Sequence, residues 1–340
     1  MRIQVNARNR GCEFDAQPGQ SVLYAGLSAG IELPYECATG TCGTCKAKLV
    51  AGRVRDGWRE APGRKYLKGG AEFLMCQCAP EEALTVEVPD FVYAMEPGTC
   101  VPEASTATLR NVRRLTDDVI GFALELEAPR DFDAGQFVLL AAPGVPGYRA
   151  FSMSNFARGA RRLELIAKRK PAGGFSEWLF DADREGAKLE CFGPLGKATF
   201  EPGLGKNLLL IAGGSGIAGM MSILARSAEA RYFDTHRGWV FFGVRTMRDA
   251  FFLKELSAYA GKVKVAVALS EEDPSATSEW PALVFERGLV HEVAKRAMAG
   301  KYQNLRAYVA GPPPAVDAAI RMLLLEARLT TDNIRYDKFS

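Results

Sequence analysis

The stretch "YECATGTCGTCKAKLVAGRV", Tyr35 to Val54, sets three cysteines, Cys37, Cys42 and Cys45, among glycines and threonines at the spacing C-x4-C-x2-C. Two more, Cys76 and Cys78, follow in "EFLMCQCAP" after a gap of thirty residues. Whether such a cluster forms disulfides or binds metal depends on the redox compartment. The first residues, "MRIQVNARNR", alternate as a strand does and lack the apolar core of a secretory signal. A reducing, cytoplasmic setting is therefore expected, where a tight cysteine cluster binds metal in preference to forming disulfides. The longest apolar runs, such as "NLLLIA" and "WVFFGV", are far too short to cross a bilayer, which argues against a membrane protein. A formal net charge of +3, with both signs mixed along the chain, leaves no footprint of a nucleic-acid binder. At 340 residues the chain has room for two or three domains.

The C-x4-C-x2-C…C spacing is that of four thiolates holding the two irons of a plant-type [2Fe–2S] centre. Such a centre needs backbone N–H groups close to its sulfides, and Gly40 and Gly43 permit that approach because they lack a side chain. Thr41 and Thr44 are small enough not to block it. By spacing, either Cys76 or Cys78 can be the fourth ligand. A structural zinc site is the alternative, but zinc favours C-x2-C joined to another close pair, and the second pair here is C-x-C. Cys12, Cys100 and Cys191 are scattered and read as ordinary thiols.

Around the loop, Ser21 can cap a helix, "VLYAGLSA", that Gly30 ends. Strand-like runs "RIQVNA", "KAKLV" and "LTVEVP" complete a small module ending near Pro89, and "PDFVYAMEPGTCVPEAS" reads as a linker. From Thr106 to about Phe200, "ATLRNVRRL", "DVIGFALELE", "GQFVLLAA", "RRLELIAKR" and "AKLECFG" predict an antiparallel barrel. From Asn207 onward strands alternate with helical runs, which predicts a doubly wound parallel sheet. Its first strand, "NLLLIA", leads into Gly213, Gly214, Ser215 and Gly216, and Gly214-x-Gly216-x-x-Gly219 spells G-x-G-x-x-G. The acidic residue that should follow about twenty residues on, for the ribose hydroxyls, is missing, and the next strand ends in "GVRTMRD" with Arg245 and Arg248. The turn is thus read as a nicotinamide site of another kind, and a mere close helix–sheet contact is the bland alternative.

Taken in order, "YECATGTCGTCK", "FLMCQC", "RAFSMSN", "GGFSEWLF", "AGGSGIAG" and "AGPPPAVDA" resemble, over nearly the full length, iron–sulfur flavoprotein reductases of bacterial multicomponent oxygenases. These belong to the ferredoxin–NADP reductase superfamily, and the look is that of reductases serving carbazole-type Rieske dioxygenases and toluene-type diiron monooxygenases. The resemblance implies a multidomain α+β and α/β chain. A β-grasp [2Fe–2S] ferredoxin domain (1–90) and a linker (91–105) precede an antiparallel β-barrel FAD domain (106–202) and a doubly wound α/β nicotinamide domain (203–340). It implies Cys76 as the fourth ligand, because the family's ligand follows a leucine–small pair and precedes a proline by four residues, the places held here by Leu74-Met75 and Pro80. Arg149 is then expected at the FAD pyrophosphate, Phe151 on the isoalloxazine and Ser152 near flavin N5. Gly174, Phe175 and Ser176 are expected at the pyrophosphate, and Gly213, Gly214, Ser215 and Gly216 at the nicotinamide nucleotide. Gly311, Pro312 and Pro313 are expected to form a loop near the nicotinamide, and Phe339 to cover the flavin. Ser152 and Phe339 are the residues implied at the reacting atoms. Three positions depart from the pattern: Gly219 stands for a proline, Ala310 for a cysteine near the hydride path, and Ser340 extends the terminal aromatic.

The function so implied is an NADH-dependent reductase. It passes electrons through FAD and a [2Fe–2S] cluster to the oxygenase, or an intermediate ferredoxin, of an aromatic-ring-oxidising system, and acts as a monomer. NADPH is the alternative donor, with Arg245 and Arg248 as the contacts for its 2′-phosphate. A reductase of a deoxysugar dehydratase is the alternative partner reading, and a redox sensor with a decayed flavin site the non-enzymatic one. His236 and His291 are assigned no role.

Overall fold

The computed structural model describes residues 1–274 and 279–338. The chain divides into two compact units. One comprises Met1–Ser105 with Leu139–Ala150 and Glu190–Leu195, the other Thr106–Val138, Phe151–Leu189 and Gly196–Ser340.

The first unit is built on a five-stranded sheet in the order Gly11–Asp15, Arg2–Ala7, Leu84–Val88, Lys46–Ala51, Glu72–Leu74. Arg2–Ala7 runs antiparallel to the first of these and parallel to Leu84–Val88. Its side chains alternate, with Ile3 and Val5 buried and Arg2 and Gln4 exposed, as the two-residue period of a half-buried strand requires. The helix Val22–Ser28 starts where Ser21 accepts a bond from the Tyr24 amide and buries Val22 through Leu27. Each such aliphatic side chain contributes about 1.5–3 kcal/mol by leaving water. At Gly26 a Cβ would stand 2.4 Å from Leu33 Cδ1, so the helix lies as close as its missing side chain allows.

The segment expected as a linker is tied down instead. Tyr93–Ala94 pairs antiparallel with Ile31–Glu32. The Asn9 amide side chain both donates to the Val92 carbonyl and accepts from the Val92 amide, at 2.9 Å each. The Met95 amide reaches the Gly30 carbonyl at 2.8 Å, and the Ser28 hydroxyl the Pro102 carbonyl at 2.9 Å. The tying partners, Asn9, Ser28, Gly30 and Ile31–Glu32, lie far away in sequence.

Six strands follow in the order Arg149–Ser152, Phe137–Ala141, Lys188–Leu195, Glu103–Arg114, Val119–Arg130, Ala160–Lys168. The pairs between Glu103–Arg114, Val119–Arg130 and Ala160–Lys168 are antiparallel.

The last sheet is wholly parallel, in the order Val284–Arg287, Lys264–Leu269, Gly238–Val244, Asn207–Gly213, Leu305–Gly311, Ile334–Lys338. Leu208 and Leu210 enter the core on one face, with Val240, Phe242 and Ile217. Leu209 and Ile211 enter the core on the other, with Phe241, Val293 and Val316. Two covered faces explain why "NLLLIA" is apolar without alternation. Ile334–Lys338 was not foreseen as a strand, because on a sheet edge its side chains are mostly not buried and carry no apolar run.

Candidate cofactor sites

The cysteine loop brings four sulfurs into two pairs. The Cys45 and Cys76 sulfurs lie 3.2 Å apart. The Cys42 thiol donates to Cys37, which pulls Cys37 well below the ordinary thiol range and pushes Cys42 above it. Two further donors aim at Cys37 Sγ, the amides of Thr39 and Cys42, each at 3.4 Å, and the Gln77 side-chain amide reaches Cys76 Sγ at 3.4 Å. Among the described residues no three histidine, cysteine or acidic side chains converge as for one ion. Two thiol pairs suit two irons, with two thiolates each, better than one tetrahedral zinc. Cys78 is buried in the Cys78–Pro80 strand, its thiol pushed up to about 12 by burial and the nearby Asp56 charge.

Backbone geometry explains the loop's composition. Gly40 and Gly43 sit at φ 86 and 79, the left-handed region that favours glycine. A Cβ at Gly43 would stand 2.5 Å from the Tyr66 ring, which covers the loop from the short helix Pro62–Tyr66. Gly63 in that helix bonds the Gly40 carbonyl at 2.8 Å.

The strand Arg149–Ser152 carries the three predicted flavin residues. Arg149 places its guanidinium over the Trp58 ring at 5.8 Å and donates to the Tyr148 carbonyl at 3.0 Å. Partial burial lowers its pKa, and among the described residues no carboxylate pairs with it. A half-buried cation without a carboxylate fits an anionic phosphate ligand. Phe151 is half-buried, edge-on to Phe122 at 5.9 Å and 4.9 Å from Phe175. Ser152 is buried, with no protein hydrogen-bond partner for its hydroxyl among the described residues. A Cβ at Gly219 would come within 3.8 Å of that hydroxyl, so the small residue leaves room there. Gly174 begins the helix Gly174–Phe180. Phe175 is buried, so only its backbone is available to a phosphate. The Ser176 hydroxyl closes its own loop, donating to the Lys170 and Gly173 carbonyls and accepting from the Lys170 amide at 3.0 Å.

At the carboxyl ends of the parallel strands, a cavity of about 280 Å³ is lined by Gly213, Gly214, Ser215, Arg245, Asp249 and Pro312, among others. It includes the point where strand order reverses, between Asn207–Gly213 and Leu305–Gly311, the usual ligand crevice of such sheets. Gly216 and Gly311 are not in its lining; they let backbones touch. A Cβ at Gly216 would stand 2.4 Å from the Ala310 carbonyl, and one at Gly311 2.9 Å from the Gly213 carbonyl. Pro313 opens the helix Pro313–Leu325 just beyond. Arg245 is already engaged, donating to Asp249 at 3.1 Å. Asp249 was missed, although Thr246-x-x-Asp249 is a readable capping pattern. Burial pushes its carboxyl up, but bonds from the Thr246 hydroxyl and amide and from Arg245 outweigh that and hold it below the usual range. Trp58 and Tyr24 carried no sequence signal at all. Phe339 lies outside the described residues.

Comparison with known proteins agrees with this assembly. Residues 5–81 match the 2Fe-2S iron-sulfur cluster binding domain, residues 106–200 the oxidoreductase FAD-binding domain, and residues 210–321 the oxidoreductase NAD-binding domain. The chain is 36% identical to the ferredoxin–NAD(P)(+) reductase CarAd of Metapseudomonas resinovorans, covering 94% of this chain and 95% of that one. It is 35% identical to the ferredoxin–NAD(+) reductase component of the alkene monooxygenase system of Xanthobacter autotrophicus, covering 97% and 99%. The solved structure of the ferredoxin reductase in carbazole 1,9a-dioxygenase superposes with a TM-score of 0.84 at 33% identity, over 100% of this chain and 99% of that one. No helix among the described residues is long and apolar enough to cross a membrane. With a thiol quartet, a barrel strand bearing Arg149 to Ser152 and a nicotinamide crevice in one chain, the protein belongs to the family of NAD(P)H-dependent ferredoxin reductases that carry electrons through FAD and a [2Fe–2S] cluster in multicomponent oxygenase systems.

Proposed function

We propose that this chain draws its electrons from NADH and serves an aromatic-ring-oxidising oxygenase, directly or through a ferredoxin, as a cytoplasmic monomer that uses neither membrane nor nucleic acid. The observation that carries the choice of donor is Asp249. Its carboxylate lines the cavity and occupies Arg245, the cation that would otherwise meet a 2′-phosphate. A carboxylate accepts ribose hydroxyls well and repels a phosphate. The aromatic partner is suggested by similar proteins described as reductases of carbazole, xylene/toluene and phenol oxygenation.

Within this reading the domains run 1–90, 106–202 and 203–340 with 91–105 between them, and the family matches fall inside those bounds. When bound, FAD and the cluster convert a two-electron hydride input into one-electron output. The protein's own residues bind and orient. Cys37, Cys42, Cys45 and Cys76 hold the irons, and Thr39 and Cys42 amides stabilise the sulfur charge. Arg149 neutralises the flavin pyrophosphate, with the backbone of Gly174, Phe175 and Ser176 alongside. Phe151 offers a ring face, and the unpartnered Ser152 hydroxyl donates to the flavin near the reacting atoms, with Phe339 as the aromatic on the other face. Gly213, Gly214, Ser215, Gly216, Gly311 and Pro312 shape the crevice for the nicotinamide nucleotide. The test is an anaerobic titration followed by visible absorption. NADH is expected to bleach flavin and iron–sulfur bands together, with kcat/KM well above that for NADPH. Bleaching by NADPH alone would overturn the donor assignment.

A further inference from the structure

Tyr24 stands in the helix Val22–Ser28, its side chain almost wholly buried. Its hydroxyl donates to the Ala38 carbonyl at 2.8 Å. That carbonyl belongs to the Ala38–Thr39 peptide, and the N–H of the same peptide, on Thr39, points at Cys37 Sγ at 3.4 Å. The two bonds therefore sit at opposite ends of one rigid, resonant unit. A carbonyl that accepts a strong hydrogen bond draws electron density through the amide and makes its N–H a better donor, so the bonds reinforce each other. Ala38 is held at φ 54, a conformation that a residue with a Cβ rarely adopts, so this peptide's orientation requires support. The Tyr24 hydroxyl supplies it from within the core.

We propose that Tyr24 is a positioning residue for the iron–sulfur cluster: its hydroxyl aims and polarises the Ala38–Thr39 peptide, whose N–H then stabilises negative charge on the Cys37 sulfur and raises the cluster's reduction potential. Hydrogen bonds to the ligating sulfurs are a main lever on such potentials. The inference rests on the reading of Cys37 as a ligand. Residues remote in sequence set the aim of the hydroxyl. The Tyr24 ring stacks on Phe192 at 4.6 Å and meets the edge of Tyr148 at 5.6 Å, while the Tyr148 hydroxyl donates to Glu190 at 2.9 Å. Burial and then the surrounding thiol and phenol groups push the Tyr24 phenol far above its ordinary range.

The experiment measures cluster and flavin midpoint potentials in the holoenzyme for Tyr24→Phe and for 3-fluorotyrosine placed at position 24. Phenylalanine keeps the ring and removes the donor; fluorination keeps the shape and strengthens the donor. With Tyr24→Phe the reduction equilibrium of the cluster is expected to move about threefold toward the oxidised form, about 28 mV for a one-electron couple, with the flavin potential unmoved. The fluorinated residue is expected to shift the cluster in the opposite direction, and it decides the matter alone if Tyr24→Phe fails to retain iron. Potentials equal to wild type in both variants, or shifts of the same sign, would overturn the inference while leaving the ligand assignment standing. Wild-type protein lacking two irons and two acid-labile sulfides per chain would overturn both, and that count is made first.

Discussion

The loop Cys37–Cys45 and the turn Gly213–Gly216 are both glycine-rich and both border a proposed cofactor site, yet Gly40 in the one and Gly216 in the other are glycine for different reasons. In the cysteine loop, Gly40 and Gly43 have φ of 86 and 79. The constraint is local torsion: the chain must turn amides inward toward sulfur. At the nicotinamide turn Gly216 has an ordinary φ of −60. Its constraint is a neighbour, the Ala310 carbonyl, 2.4 Å from where a Cβ would stand. One requirement is written in the residues beside it; the other is imposed by a strand whose partner residue lies almost a hundred positions away.

The largest effect is expected at the sulfurs. Cys76→Ser is expected to abolish the iron–sulfur absorption while flavin content persists, whereas Cys78→Ser keeps it. Iron analysis and visible spectra of the two variants check this, and the reverse pattern would reassign the fourth ligand. Next, Gly216→Ala is expected to cost about 3 kcal/mol, as overpacking against rigid backbone does. The same change at Gly40 meets only the flexible Gln77 side chain at 3.0 Å and should cost nearer ~1 kcal/mol, the strain of a left-handed residue. Denaturant unfolding of both variants gives the ratio, and equal losses would erase the distinction drawn here.

A third test addresses the connection after the cysteine module. Asn9→Ala removes both bonds to Val92 and should destabilise the protein by about 2 kcal/mol, seen as a lower melting temperature with early proteolysis between residues 91 and 105. If the variant melts like wild type, the segment is a tether after all. At the crevice, Asp249→Asn releases Arg245 and removes a negative charge, so the NADPH:NADH ratio of kcat/KM should rise about tenfold, worth ~1.4 kcal/mol. The smallest effect is on acid stability. The Asp249 pKa is depressed in the folded state, so its contribution is complete above the unfolded value of about 3.9 and is lost as pH falls through the folded value. Asp249→Asn should flatten that part of the stability–pH curve, because it removes the contribution that wild type keeps at neutral pH and loses in acid.

Much of the site was legible in short windows. Cys37, Cys42, Cys45, Gly40 and Gly43 are close in sequence, as are Arg149, Phe151 and Ser152, and their types and spacings speak for themselves. So does the alternation of Arg2–Ala7 against the unbroken apolarity of Asn207–Gly213, because burial on one face or two writes itself into the pattern. What was not legible depends on partners remote in sequence. Asp249 became a cavity residue only when its strand end met Pro312; the Ser176 hydroxyl turned inward; the 91–105 segment was anchored by Asn9 and Gly30.

The order of three large sheets, the spacing of the four thiols and the glycine turn ahead of a helix were all readable from the residues alone, since each follows from local torsion and hydrophobic periodicity. The three-dimensional fold was needed to show that Tyr24 bonds the peptide facing Cys37, that Trp58 underlies Arg149 and that Gly216 must lack a side chain. Those facts depend on which distant residues meet in space, and close packing decides that only for the chain as a whole.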